Sequence, residues 1–202
     1  MRFTLGSHLG CVEVICGSMF SGKTEELIRR LHRARIARQK IQCFKPQIDT
    51  RYSAEHIASH DATRILSHPV ERASQIMELV EDNTRVVGID EGQFFDDSIV
   101  TVCQKLANRG IRVIVAGLDM DYLGNPFEPM PKLLAIAEYV TKLSAVCVVC
   151  GGPASRTQKH VSVEVPALTA TANENPDAKS PVQVGSTELY EARCRFCHEA
   201  KS

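Results

Sequence analysis

Apolar residues along this chain fall into two alternating rhythms. Residues 11–16 are mostly apolar and β-compatible, bounded by Gly10 and Gly17, the pattern of a strand buried on both faces of a parallel sheet. Residues 23–38 change to a helical period. Leu27, Ile28, Leu31 and Ala34 recur on one face, and Arg29, Arg30, Arg33 and Arg35 occupy the others. The two rhythms then repeat. A short strand is predicted over 41–45, stopped by Pro46, then a helical stretch over 75–80, an apolar strand over 85–90 and a helix over 98–107 ending near Gly110. A strand over 111–117 and a helix over 133–139 follow. Alternation of this kind to about Cys147 predicts an α/β fold, a mostly parallel sheet flanked by helices.

The pattern breaks after Cys150. Residues 167–176 are rich in Thr, Ala, Asn and Pro, and no helical or strand period survives there. Excursions this long inside a compact domain are functional or disordered. The chain of 202 residues therefore divides into an α/β domain over 1–146 and a small C-terminal domain over 147–202.

Charge narrows the partners. Lys and Arg total 24 and Asp and Glu total 24, and no long like-charged run marks a nucleic-acid footprint, so a small-molecule partner is expected, with no nucleic acid and no membrane. The first ten residues lack a basic stretch leading into an apolar run, and no apolar segment reaches spanning length; a soluble, cytoplasmic protein is the expectation. In that compartment thiols stay reduced, so the eight cysteines need another account. Cys11, Cys16, Cys43 and Cys103 lie singly in apolar stretches and read as buried thiols. Cys147 and Cys150, with Cys194 and Cys197, form two C-x-x-C pairs. Four thiolates suit tetrahedral Zn²⁺ and leave no position for a reactive water, which makes the site structural. His198 is an alternative ligand in place of Cys197.

The chemistry lies earlier in the chain. Gly17-Ser18-Met19-Phe20-Ser21-Gly22-Lys23-Thr24 fits G-x-x-x-x-G-K-[ST] between a predicted strand and a predicted helix, the context a phosphate-binding loop requires. Such a loop turns successive amides toward an anion at a helix N-terminus, with the lysine on the β- and γ-phosphates of ATP and the Thr24 hydroxyl on Mg²⁺. Asp90 and Glu91 close the strand over 85–90. Asp90 suits the magnesium shell and Glu91 a proton acceptor facing the γ-phosphate.

These motifs come in a telling order. After Gly17 to Thr24 follow Lys45-Pro46-Gln47-Ile48-Asp49-Thr50-Arg51-Tyr52, Ser59-His60-Asp61, Asp90-Glu91-Gly92-Gln93-Phe94-Phe95, Gly117-Leu118-Asp119 and Pro126-Phe127. Lys142 to Cys147, Ser155-Arg156-Thr157-Gln158 and Tyr190-Glu191-Ala192-Arg193-Cys194 complete the series. The set resembles the thymidine kinases found in vertebrate cytosol and many bacteria, over nearly the whole chain. The resemblance implies ATP-dependent transfer of the γ-phosphate to the 5′-hydroxyl of thymidine, with deoxyuridine as second substrate. It makes Glu91 the catalytic base and puts Gly92 and Gln93 in the nucleotide-contacting segment. Phe94 or Phe95 and Phe127 would line the nucleoside pocket. Asp49 becomes a second magnesium candidate and Arg51 a charge-neutralising contact near the phosphates. The excursion between the cysteine pairs would be a lasso over the nucleoside, with Thr157, Val182, Val184, Gly185 and Tyr190 as contacts. A homotetramer and feedback inhibition by thymidine triphosphate are further implications. Two departures stand out: a longer lasso around residues 164–179, and Gly185-Ser186 where the family commonly has a Gly-Gly pair. The rival reading from the same motifs is a nucleic-acid-dependent ATPase with a zinc module; a non-catalytic zinc-dependent interaction module is the other.

Overall fold

The computed structural model describes residues 10–47, 56–58, 64–160 and 189–199. In chain order the first elements are β1 (Cys11–Gly17), α1 (Lys23–Ile36), β2 (Ile41–Pro46), β3 (His56–Ala58), β4 (Arg64–Leu66), β5 (His68–Val70), α2 (Ser74–Leu79) and β6 (Val86–Ile89). They are followed by α3 (Ser98–Asn108), β7 (Arg112–Gly117), α4 (Met130–Ile136), β8 (Tyr139–Leu143), β9 (Ala145–Val146), β10 (Pro153–Ala154), β11 (Arg156–Lys159) and β12 (Tyr190–Arg193). Six strands make one sheet in the order β5-β2-β6-β7-β1-β8, every neighbour parallel.

Strand alternation assigns the side chains to two layers. Val12, Val14 and Cys16 of β1 face a core shared with Ile76 of α2, Ile99, Cys103 and Leu106 of α3, and Met130 and Leu133 of α4. Ile15 faces the opposite layer, where Leu27, Ile28, Leu31 and Ala34 of α1 close over Val86, Ile114 and Ala116. Glu13 shares that second face and is only 7% exposed. Arg30 Nη1 reaches it from α1 at 2.7 Å and Arg112 Nε from β7 at 2.5 Å, while Arg30 Nη2 donates to Thr141 Oγ1 at 2.8 Å. The arginine face of α1 thus supplies a buried counter-charge as well as a solvated surface.

One predicted element is displaced. The helix expected over 133–139 lies at Met130–Ile136, and Tyr139 instead opens the sixth strand of the sheet. Pro131 explains the early start, because its missing N–H costs nothing in a first helical turn. Ala137, extended at φ −74° and ψ 133°, ends the helix. Among the described residues, the strand that follows pairs only with β1, and it leaves Tyr139 and Val140 half exposed, so it carries little of the apolar signature of its neighbours.

Beyond β8 the chain forms two small antiparallel ribbons, β9 with β10 and β11 with β12. Ala145, Cys147, Ala154 and Ala192 make their minimal core. Among the described residues, no helix is long and apolar enough to cross a membrane.

Candidate active site

Parallel sheets gather ligands beyond the carboxyl ends of their strands. The loop after β1 and the acidic pair after β6 both lie there, separated by β7. Gly17 starts the loop at φ +144°, and a Cβ on it would come within 2.4 Å of the Leu143 carbonyl oxygen, so only glycine lets the loop leave between β1 and β8. Phe20 and Gly22 also take positive φ, 63° and 82°, and Gly22 caps α1. Ser21 Oγ and Lys23 Nζ each donate to the Ser18 carbonyl at 2.8 Å, which folds the lysine back over its own loop. The first turn of α1 carries Glu25 and Glu26; hydrogen bonds from Arg29 and then Arg30 hold the Glu26 carboxyl down at about 2.

The fold brings Thr24 and Asp90 together. Thr24 Oγ1 lies 3.4 and 3.3 Å from the two Asp90 oxygens, and Asp90 is buried at the end of β6. A hydroxyl beside a carboxylate in this arrangement offers two hard oxygen donors for a divalent cation. Glu91 follows with φ 52° and ψ 45°, left-handed backbone that costs a non-glycine residue about 1–3 kcal/mol. Its Oε2 accepts from Gln93 Nε2 at 2.6 Å, and Gln93 Oε1 accepts from the Leu118 amide at 2.9 Å.

The two phenylalanines of the same segment part company. Phe95 packs into the sheet core with Ile99 and Val70, whereas Phe94 stands edge-on to Phe127, with ring centroids 6.1 Å apart at 90°. Phe94 and Phe127 therefore form an aromatic pair outside that core, and Phe95 is a core residue. Thr157, expected beside a nucleoside, is 4% exposed and its Oγ1 accepts from the Met19 amide of the phosphate loop at 3.1 Å. Ser18 Oγ donates to the Ala154 carbonyl at 3.3 Å, a second tie between the loop and the C-terminal ribbons. Tyr190 on β12 is 7% exposed, and burial, then the neighbouring Tyr122, pushes its phenol up. Asp49, Arg51, Val182, Val184 and Gly185 lie outside the described residues.

Asp119 and Lys142 join the cluster without having been assigned a role from the sequence. Lys142 Nζ meets Asp119 Oδ2 at 2.6 Å, and the buried Oδ1 has no hydrogen-bond partner among the described residues. Asp119 sits just past the end of β7 as Asp90 sits past β6, so the same strand-end signal could have found it. Lys142 belongs to β8, the strand whose pattern hid it.

The paired cysteines converge as their spacing predicts. Their four Sγ atoms lie within 4.8 Å of one another, and Cys150 and Cys194 are 3.7 Å apart. A zinc tetrahedron with bonds of about 2.3 Å has edges of about 3.8 Å, so the donor set fits. Each pair turns on one backbone bond, Gly151 N to Cys147 O at 2.8 Å and His198 N to Cys194 O at 3.0 Å. Backbone amides, that of Cys194 first, draw the Cys147 thiol down to about 6, while hydrogen bonding with the neighbouring Cys194 thiol pushes Cys197 up to about 12, so the four sulfurs share their protons rather than each standing as a thiolate. His198 is turned elsewhere, its Nε2 2.9 Å from the Tyr122 carbonyl, which leaves the four-cysteine set. The isolated cysteines behave as packing residues: burial pushes Cys16 up to about 11 and Cys103 to about 12.

A parallel sheet, a phosphate loop after its β1 strand and an acidic pair past β6 define an α/β protein of the phosphate-loop class. The thymidine kinase family model matches residues 10–198. A thymidine kinase of Rhodothermus sp. is 54% identical over 194 residues, which cover 96% of this chain and 84% of that protein. A thymidine kinase of Bdellovibrio bacteriovorus is 57% identical over 186 residues, 92% of this chain and 84% of that one. The chain belongs to the thymidine kinase family.

Proposed function

We propose that the protein phosphorylates thymidine at its 5′-hydroxyl with ATP, and accepts deoxyuridine as a second substrate. The observation that carries this reading is the meeting of Thr24 with Asp90, beside Glu91, at the carboxyl edge of the sheet. Amides of residues 17–24 and the Lys23 ammonium hold the β- and γ-phosphates, and Thr24 and Asp90, with Asp49 as a further candidate, hold the Mg²⁺ that accompanies ATP. Mg²⁺ supplies charge neutralisation on the phosphates. Glu91 takes the proton of the 5′-hydroxyl as that oxygen bonds to the γ-phosphorus; the bond to the β,γ-bridging oxygen breaks and ADP leaves. Gly92 and Gln93 belong to the ATP-contacting segment that follows Glu91. Phe94 and Phe127 wall the nucleoside with their ring pair, and Tyr190 and Thr157 close the C-terminal side; residues 182, 184 and 185 and Arg51 complete the contacts carried by family resemblance.

The four cysteines hold a structural zinc, which fixes both ends of the segment between the pairs. A homotetramer, inhibition by thymidine triphosphate and a cytosolic location complete the proposal, each supported by the family alone. The deciding experiment is an ATP-dependent phosphorylation screen of the four deoxynucleosides and deoxyuridine, with single-stranded DNA as a separate arm. Product confined to thymidine and deoxyuridine is expected. ATP turnover stimulated by DNA and indifferent to thymidine would replace this reading with the nucleic-acid-dependent ATPase.

A further inference from the structure

We propose that Gln93 is the positioning residue for the Glu91 carboxylate, clamping it to the end of β7. This rests on the reading of Glu91 as the base. The amide of Gln93 has one possible orientation. The Leu118 backbone N–H can only donate, so it takes the glutamine oxygen, at 2.9 Å, and the NH₂ group is left to meet Glu91 Oε2 at 2.6 Å. Gln93 is 3% exposed, so water does not compete for either contact. Gly117 makes the room: a Cβ there would stand 2.9 Å from Gln93 Oε1.

The clamp answers a specific mechanical need. Glu91 sits on left-handed backbone at the mouth of a short 3₁₀ turn, Gly92–Phe94, where a freely rotating carboxylate would sample several directions. A glutamine amide neither gives up nor takes a proton near neutral pH, so it holds the base without competing for the proton being moved. Orientation matters because misplacing a reacting group by about 1 Å costs about a hundredfold in rate. The bland alternative is that Gln93 only ties the turn to β7 through Leu118.

Two variants separate these readings. Gln93→Glu keeps an acceptor for the Leu118 N–H and, assayed above the pH at which the two carboxyls share a proton, replaces the donor to Glu91 with a like charge; Gln93→Met keeps the volume and removes both. Steady-state kinetics in ATP and in thymidine, with thermal melting of each variant, form the test, and Glu91→Gln is run beside them. The expected result is a fall in kcat of about ten- to a hundredfold in both Gln93 variants, with both KM values within about threefold. Turnover within about twofold of the parent in either variant overturns the proposal: in Gln93→Glu it would leave only the tie to Leu118, and in Gln93→Met it would leave only the effect of added charge. Should Glu91→Gln itself keep turnover, the base assignment fails; should it lose turnover while Gln93→Met does not, the clamp alone fails.

Discussion

Two acids in this chain have opposite relations to their surroundings. Glu91 lies on strained backbone at the sheet edge, part-buried and hydrogen-bonded to Gln93. Replacing it with glutamine keeps size and hydrogen bonding while removing basicity, so turnover should fall by about a hundred- to ten-thousandfold with thymidine affinity largely kept. Single-turnover kinetics with a direct thymidine titration reads the two separately, and near-normal turnover would take the base role from Glu91. Glu13 is a structural acid, enclosed between Arg30 and Arg112 in the layer under α1. Its removal leaves Arg30, whose side chain is 13% exposed, with Glu26 at 2.8 Å as a remaining carboxylate partner. Because Arg30 keeps Glu26 and Arg112 keeps access to water, Glu13→Ala should cost about 1–3 kcal/mol, below the range for a buried charge left with no partner. Equilibrium urea unfolding measures it; a change below about 1 kcal/mol would mean that solvent already carries most of the charge.

At the scale of elements, the phosphate loop is fastened at both ends of its range. It begins on a glycine wedged against Leu143 and ends on the cap of α1, and its middle is tied to the C-terminal ribbons through Ser18 and Met19. Thr157 supplies the second tie. Thr157→Val preserves shape and removes the acceptor for the Met19 amide, so ATP affinity should drop by about three- to tenfold, the value of about one hydrogen bond. Thr157→Ser should restore it. A change confined to thymidine KM would instead return Thr157 to the nucleoside, as family resemblance has it. The elements themselves were legible to unequal degrees. Strands β1, β6 and β7, buried on both faces, announce themselves as continuous apolar runs, and α1 as a clean period. The edge strand β8 does not, since one partner and half-exposed side chains leave no run to read. Glu13 was equally hidden: within an apolar run a single acid is unremarkable until its two arginines, one from a helix and one from another strand, are brought to it by the fold. The candidate site was legible wherever local spacing encodes it, as in residues 17–24, Asp90-Glu91 and the cysteine pairs. It was illegible where the pairing is long-range, as with Asp119 and Lys142, Met19 and Thr157, or Gln93 and Leu118.

For the whole molecule the question is how far the metal lobe and the nucleotide core depend on one another. The α/β part has its own two-layer core of apolar side chains. Among the described residues, the ribbons around Cys147, Cys150, Cys194 and Cys197 cluster three alanines with the cysteines, beside the buried Tyr190. A cluster so poor in buried apolar area would lean on the proposed zinc, because a metal bound to four thiolates contributes its binding free energy directly to folding. One zinc per chain is therefore expected by elemental analysis. Chelation should open the segment between the pairs to protease while the sheet's far-ultraviolet signal persists. The Ser18–Ala154 and Met19–Thr157 bonds extend the consequence beyond the lobe, since the ribbons that the proposed zinc would organise also brace residues 17–24. Loss of metal should thus weaken thymidine binding most and ATP binding measurably, by about three- to tenfold if one brace is lost. Cys194→Ser offers the same test without chelator. It removes one ligand of the tetrahedron, so zinc content and both affinities should fall together. Full zinc occupancy with unchanged thymidine affinity in that variant would show that the four sulfurs do not act as one site. Zinc loss that lowers thymidine affinity and leaves ATP affinity untouched would show that the loop stands without its braces.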